Sequence, residues 1–269
     1  MAEEINKGNI AQNDNDMSFW GHLEVLRMTL FHIIAFLLVA FVCWFIAMPH
    51  IFDSFVLGPT TSDFFLYKWF AALGKLPFFP DFGDNNFAVN IININVASQF
   101  MTHMSTSFYF ALIVSFPYMV YELWKFIRPA LLPNEKKNIK VAFSFSTLMF
   151  FCGCAIGYGL VFPLTFRFLT QYTIGNEIVN QINLNSYIGM FMMMIVIMGI
   201  VFELPLLAWV LSKLGLVNKA FLKTYRKHAI VVIMILSAII TPSGDPFTLM
   251  VVFLPIYMLY ELSIKIVRN

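Results

Sequence analysis

The residues of this chain best placed to do chemistry are carboxylates in unusual company. Glu203 lies well inside an apolar run at residues 187–211, with Pro205 two positions on. An ionisable group at that depth costs about 2.5–3.5 kcal/mol on insertion scales, so it calls for a role. It can be a polar docking point for another helix or for substrate, a proton carrier, or simply a protonated Glu hydrogen-bonded within a bundle. Pro205 frees backbone carbonyls and kinks a helix, which would turn Glu203 to one side. Glu135 closes the stretch W-K-F-I-R-P-A-L-L-P-N-E (residues 124–135), which mixes aromatic, cationic, proline and acidic residues between two apolar runs. Taken alone, Glu135 among lysines reads as a solvated charge. Glu122 can neutralise Lys125 at i+3 or face a cationic ligand, and Glu24 with Arg27 has the spacing of an intrahelical pair. Phe126 reads as interfacial belt, as Trp20, Trp44 and Trp124 do.

Catalytic constellations are missing. There is no H-E-x-x-H, no G-x-S-x-G and no P-loop, and the five His residues are scattered. An enzyme therefore loses ground, and no cofactor is expected. Cys43, Cys152 and Cys154 all sit in apolar runs and read as small packing residues; Cys152 and Cys154 point about 200° apart on a helix, a poor metal pair.

The elements that position these groups are helices in a membrane. A 59% hydrophobic, 12% charged chain with 31 Phe is no ordinary soluble protein. Long apolar runs without period-2 alternation favour helices over a barrel. The net charge of +2 argues against nucleic acid as a partner. Residues 1–16 are polar and Asn-rich and read as a disordered tail, not a signal peptide. Residues 17–269 read as one six-helix domain. An amphipathic turn is expected over 18–27, then spans at 28–48, 97–127, 141–164, 187–211, 229–241 and 247–262. The first loop, from Pro49 to about residue 96, is aromatic and turn-rich, with Pro59 near its start, and is expected to be a long structured loop with short interfacial helices. The last two spans amount to only ~20 and ~24 Å of helix, below a ~30 Å core, so local bilayer thinning is expected.

Six spans put both termini on one side. Arg27, the Lys-rich segments at 125–140 and 213–227, and Lys265 with Arg268 share that side, whereas the opposite loops hold only Lys68, Lys75 and Arg167. By the positive-inside rule both termini are cytoplasmic. No half-to-half hydropathy symmetry of the inverted-repeat kind is visible, which weakens a small-solute pump. A proton-coupled secondary transporter using Glu203 remains the leading alternative, with a purely structural scaffold for other membrane subunits as a third class.

Six segments, in order, resemble the TatC family, the multispanning receptor of the twin-arginine protein translocase. They are H-L-E-V-L-R (22–27), V-A-S-Q-F (96–100), P-Y-M-V-Y-E-L-W-K-F-I-R-P-A-L (117–131) with Glu135 beyond, F-E-L-P (202–205), T-P-S-G-D (241–245) and P-I-Y-M-L-Y-E (255–261). The resemblance covers nearly all of the chain after the tail. It implies a subunit of the bacterial inner membrane that captures twin-arginine signal peptides of folded precursors. It further implies recruitment of single-span TatA/TatB-type subunits, self-association in a larger complex, and export driven by the proton-motive force. Carried over by motif, the loop residues recognising the arginines are Phe126 and Glu135, joined by the segment holding Glu24 and Arg27. Glu203 and Pro205 become the partner-helix docking point, and Pro59 and Asp245 structural or functional positions of the extracytoplasmic side. The family usually has Glu two residues before the motif Arg, where this chain has Val25; its carboxylate is Glu24, about 100° away around a helix. More of the recognition is therefore expected from Glu135, with Glu122.

Overall fold

The computed structural model describes residues 19–72, 87–127, 139–175, 180–213 and 215–267. The expected tail at 1–16, and Glu135 with most of its loop, lie outside the described residues. The helices are α1 (Phe19–Ile51), α2 (Phe65–Ala72), α3 (Ser98–Ile127), α4 (Ile139–Ile156), α5 (Phe162–Gln171), α6 (Leu184–Val201), α7 (Leu204–Lys213), α8 (Lys219–Thr224), α9 (Arg226–Ile240) and α10 (Pro246–Ile266). Five stretches are long and apolar enough to cross a membrane: Leu23–Thr60, Ser98–Phe126, Val141–Gln171, Leu184–Lys213 and Pro246–Ile266. α9 falls where the sixth span is expected, and with 15 residues it reaches only ~22 Å.

Three boundaries differ from those expected. α1 is one unbroken helix of 33 residues, so no separate interfacial turn precedes it. Gly21 is the only weak helix former near its start, and a single Gly costs only about 1 kcal/mol. The third span does not stop at residue 164. α4 passes through a wider π-helical turn (Gly157–Val161) into α5 and ends at Gln171. Pro163 has no N–H for the carbonyl one turn back, and it is tolerated because it falls in the first turn of α5. The last helix is not short: α10 has 21 residues, ~32 Å, because Ser263 and Lys265 continue it where their polarity suggested an end. The case for bilayer thinning thus rests on α9 alone.

The helices alternate in direction. Phe36–Tyr118 (4.3 Å between ring centroids), Trp44–Phe110 (5.1 Å) and Phe45–His103 (3.9 Å) set α1 antiparallel to α3. Phe116 stacks on Phe150 at 3.5 Å to join α3 with α4. α4 and α6 approach closely enough that a Cβ on Gly153 would lie 2.5 Å from the Met198 carbonyl oxygen. One on Gly199 would lie 2.7 Å from Cys154 Sγ, so neither position admits a side chain without separating the helices. α6 is the centre of the core, with Phe191, Met192, Met194 and Met198 fully buried. α1 is its opposite: among its described side chains Thr29, Ile33 and Met48 are the buried ones, and Phe31, Val39 and Ile46 stand out toward the surroundings. The end of the bundle where α1 begins and α10 finishes is called the terminal end below, and the other the distal end.

A distal cap is built from two loops. β1 (Ile91–Ile92) pairs in parallel with β2 (Ile182–Asn183), in the register Ile91 to Ile182 and Ile92 to Asn183. Thr61 bridges Ala88 in antiparallel fashion, with Ser62 N–H donating to Phe87 O at 2.8 Å and Val89 N–H to Thr60 O at 3.0 Å.

Candidate functional site

At the terminal end, α1 and α3 bring two of the expected segments to one level. Arg27 precedes Phe36 by as many residues as Ile127 follows Tyr118, so the antiparallel register carries Arg27 to the last turn of α3. Glu24 and Arg27 are exposed, and among the described residues neither forms an ion pair, so the intrahelical bond their spacing allows is not made. Val25 is 38% exposed, which makes it a surface residue rather than packing. Phe126 is half-buried in the last turn of α3. Glu122 is turned inward, only 4% exposed. It accepts a hydrogen bond from Tyr118 Oη at 3.1 Å, and the exposed Lys125 ammonium lies 3.9 Å from its other oxygen. Of the two roles open to Glu122, the local one is filled, because a buried carboxylate needs a donor and a counter-charge nearby.

Glu203 stands at a break in the fourth span. Pro205, in the first turn of α7, offers no N–H to the Val201 carbonyl, and α6 ends there. The chain tightens: Glu203 N–H donates to Ile200 O at 3.0 Å, and helical bonding resumes with Leu207 N–H to Glu203 O at 2.9 Å. This turn swings the Glu203 side chain onto α4, where Ser146 Oγ donates to Oε2 at 2.9 Å. The other oxygen, Oε1, is buried and has no hydrogen-bond partner among the described residues. An unmade hydrogen bond on a buried oxygen costs about 1–3 kcal/mol, which a donor supplied from outside would recover. Toward the terminal end an apolar groove of about 330 Å³ runs between α4, α7 and α10, lined by Val141, Ala142, Phe145, Leu206, Trp209 and Ile266. Also at the terminal end, Arg226 Nη2 is held by Glu261 Oε2 at 2.7 Å, and Tyr257 Oη donates to Oε1 at 3.3 Å, tying α9 to α10.

The two distal positions are both engaged in local structure. Pro59 is buried in a short 3-10 turn (Gly58–Thr60), and its carbonyl accepts from Tyr67 Oη at 2.9 Å; Tyr67 lies 3.3 Å from Pro163 O as well. Asp245 is the N-cap of α10. It accepts from Thr248 N–H at 2.8 Å, from Thr248 Oγ1 at 2.7 Å and from the Ser243 hydroxyl, after a turn in which Gly244 has φ +59°. Partial burial pushes the Asp245 carboxyl up, but the hydrogen bonds from Ser243, Thr248 and Phe247 together outweigh it and hold the group below its ordinary value.

Arg167 was not among the expected site residues, and it lies in a helix, not in the expected loop. It lies in α5 at 0% exposure, its guanidinium carbon 4.8 Å from the Tyr67 ring centroid and 4.6 Å from that of Phe87. Burial pushes the Tyr67 phenol up, partly offset by the Arg167 charge. No local signal could have found this cage, since its rings come from a loop far away in sequence. Ser146 likewise carried no mark as the partner of Glu203. The described residues hold no group of three His, Cys, Asp or Glu side chains able to bind a metal.

The family described as Sec-independent protein translocase protein (TatC) matches residues 21–255. A Sec-independent protein translocase protein TatC of Blattabacterium sp. subsp. Periplaneta americana is 37% identical over 257 residues, 94% of this chain and 95% of that protein. One from Deinococcus radiodurans is 32% identical over 247 residues, 92% of this chain and 84% of that protein. The crystal structure of a twin arginine translocase receptor, TatC, superposes with a TM-score of 0.71 at 26% identity, over 91% of this chain and 97% of that one.

Proposed function

The chain belongs to the TatC family of Sec-independent protein translocase proteins, and we propose that it acts as the receptor subunit for twin-arginine signal peptides. It is a bacterial membrane protein and a transport component, not an enzyme. The carrying observation is the level reached by Arg27: the α1–α3 register places the exposed Glu24 and Arg27 beside the turn of α3 from which the Glu135 loop departs. Consecutive arginines present planar donor forks that carboxylates accept bidentately. Exposed pairs contribute only about 0–1 kcal/mol, so selectivity needs partial desolvation, which Phe126 and Trp124 supply by shielding the site or stacking on a guanidinium. Glu135 carries the larger share, because Glu122 is committed to Tyr118 and Lys125.

Glu203 is the docking point for the single span of a TatA/TatB-type partner. Its unpartnered Oε1 supports that reading, and Pro205 sets the break that presents it. Membership of a protein-translocase family weighs against proton-coupled solute transport through the same carboxylate. The subunit works in a larger assembly with further copies of itself, in the cytoplasmic membrane, driven by the proton-motive force. Both termini face the cytoplasm. Arg27, Lys125, Lys223, Lys227 and Lys265 are exposed at the terminal end, whereas Lys68 is the exposed basic residue of the described distal loops. Site-specific photocrosslinking tests the receptor role: a twin-arginine peptide should label positions 20–27 and 122–136. Labelling elsewhere on the bundle, or equal labelling by a Lys-Lys peptide, would sink it.

A further inference from the structure

At the distal end a pocket of about 300 Å³ opens between α1, α3 and the start of α6, lined by Met48, Pro49, Phe52, Asp53, Gln99, Thr102, His103 and Leu184. Its volume is at the lower end of the ~300–1,000 Å³ usual for ligand sites. The polar atoms it presents are biased toward acceptance, and the bias is built by the backbone. Pro49 has no N–H for the Phe45 carbonyl one turn back, so that carbonyl is left to a side chain. His103 Nε2 fills the role at 2.7 Å while its ring stacks on Phe45 at 3.9 Å. A carbonyl only accepts, so Nε2 carries the proton, and in the neutral ring Nδ1 is left as an acceptor. Asp53, exposed on the π-helical turn that follows α1, adds a carboxylate, and Gln99 an amide. Thr102 is 5% exposed and its Oγ1 has no hydrogen-bond partner among the described residues, although Thr106, one turn along the same helix, bonds back to the Thr102 carbonyl at 2.8 Å. A buried hydroxyl left in this way marks a place where a partner is missing.

We propose that this pocket binds the primary ammonium headgroup of an ethanolamine phospholipid. The ammonium offers three donors and one positive charge to a site with one carboxylate and several neutral acceptors. Met48, Phe52 and Leu184 take the headgroup's carbon stem. A lipid is the occupant because Ile46, Phe100 and Met101, beside the pocket on α1 and α3, are apolar and 69%, 58% and 56% exposed, a surface that acyl chains cover. Choline has no N–H to give, and glycerol headgroups have no cation, so the site discriminates among common lipids by donor count and charge.

Native mass spectrometry of the full chain in detergent, with phosphatidylethanolamine, phosphatidylcholine or phosphatidylglycerol of matched acyl chains, reads the prediction. The ethanolamine lipid should be retained about tenfold better than either alternative, as expected for a charge-assisted contact. Asp53→Asn and Thr102→Val should each remove that preference. Without lipid, Thr102→Val should unfold at a temperature no lower than the parent, because it deletes an unsatisfied hydroxyl; only its gain on adding the ethanolamine lipid should vanish. Equal retention of all three lipids overturns the proposal, as does an unchanged preference in both variants. So does carbodiimide coupling of Asp53 in native membranes to a protein lysine instead of a lipid amine.

Discussion

At the distal end of the bundle, Val161, Phe162, Phe166, Tyr187 and the Arg167 cage are buried, stacked and bonded across loops; at the terminal end, the first turns of α1 project Leu23, Glu24, Val25 and Arg27 into the open. The two ends are made of the same helices. What separates them is that the distal loops fold back onto the spans through short strands, a 3-10 turn and buried phenols, whereas the first half of α1 is held mainly by α3. Segments that must accept a ligand are drawn from the least stable parts of a fold, so under the proposed receptor role anchoring falls to the distal end and signal-peptide recognition to the terminal one.

Four substitutions can break or sharpen that contrast. Tyr67→Ala removes a buried ring, the hydrogen bonds to Pro59 and Pro163 and one wall of the Arg167 cage. It should cost about 3–5 kcal/mol in detergent unfolding experiments; a loss under ~1 kcal/mol would show that the cap is not the anchor. Tyr187→Phe leaves the Val56 carbonyl without its phenol donor in a fully buried place. About 1–3 kcal/mol should be lost, read by the same unfolding curve. Asp245→Ala removes the α10 cap at a cost of about 0.5–2 kcal/mol. Because the folded carboxyl titrates below its ordinary value, its contribution is complete above about pH 4 and is lost as pH falls through the lowered folded value. The parent should therefore lose stability in acid relative to Asp245→Asn, and parallel pH profiles would refute the assignment. Val25→Glu, at the open end, should change stability by less than about 0.5 kcal/mol while leaving signal-peptide binding equal or stronger. Unfolding of this variant would show that the terminal end is packed after all.

The six spans and the intramembrane Glu203 were legible because hydropathy over twenty residues is a strong signal and a lone carboxylate interrupts it visibly. In the described parts of the aromatic first loop the expected order is found, but the partner strand was not legible, since two-residue strands carry no periodicity. Arg167 misled because a cation after an apolar run resembles a loop charge; its burial depends on rings contributed by a distant loop. Glu122 was placed at a helix end, yet its inward turn follows from Tyr118 one turn earlier, which sequence spacing permits without requiring. The end of α10 was misplaced because Ser263 sends its hydroxyl to the Leu259 carbonyl and stays buried, hiding its polarity inside the helix.

The glycine contacts between α4 and α6 have a mechanical consequence. With Gly153 and Gly199 leaving no room for a side chain, the distal part of the fourth span is packed directly against the third. That contact runs as far as the turn at Phe202 and Glu203, where Ser146 holds the carboxylate. α7, packed chiefly on α10, is therefore a short forearm on an elbow, and a helix that grips Glu203 grips the joint itself.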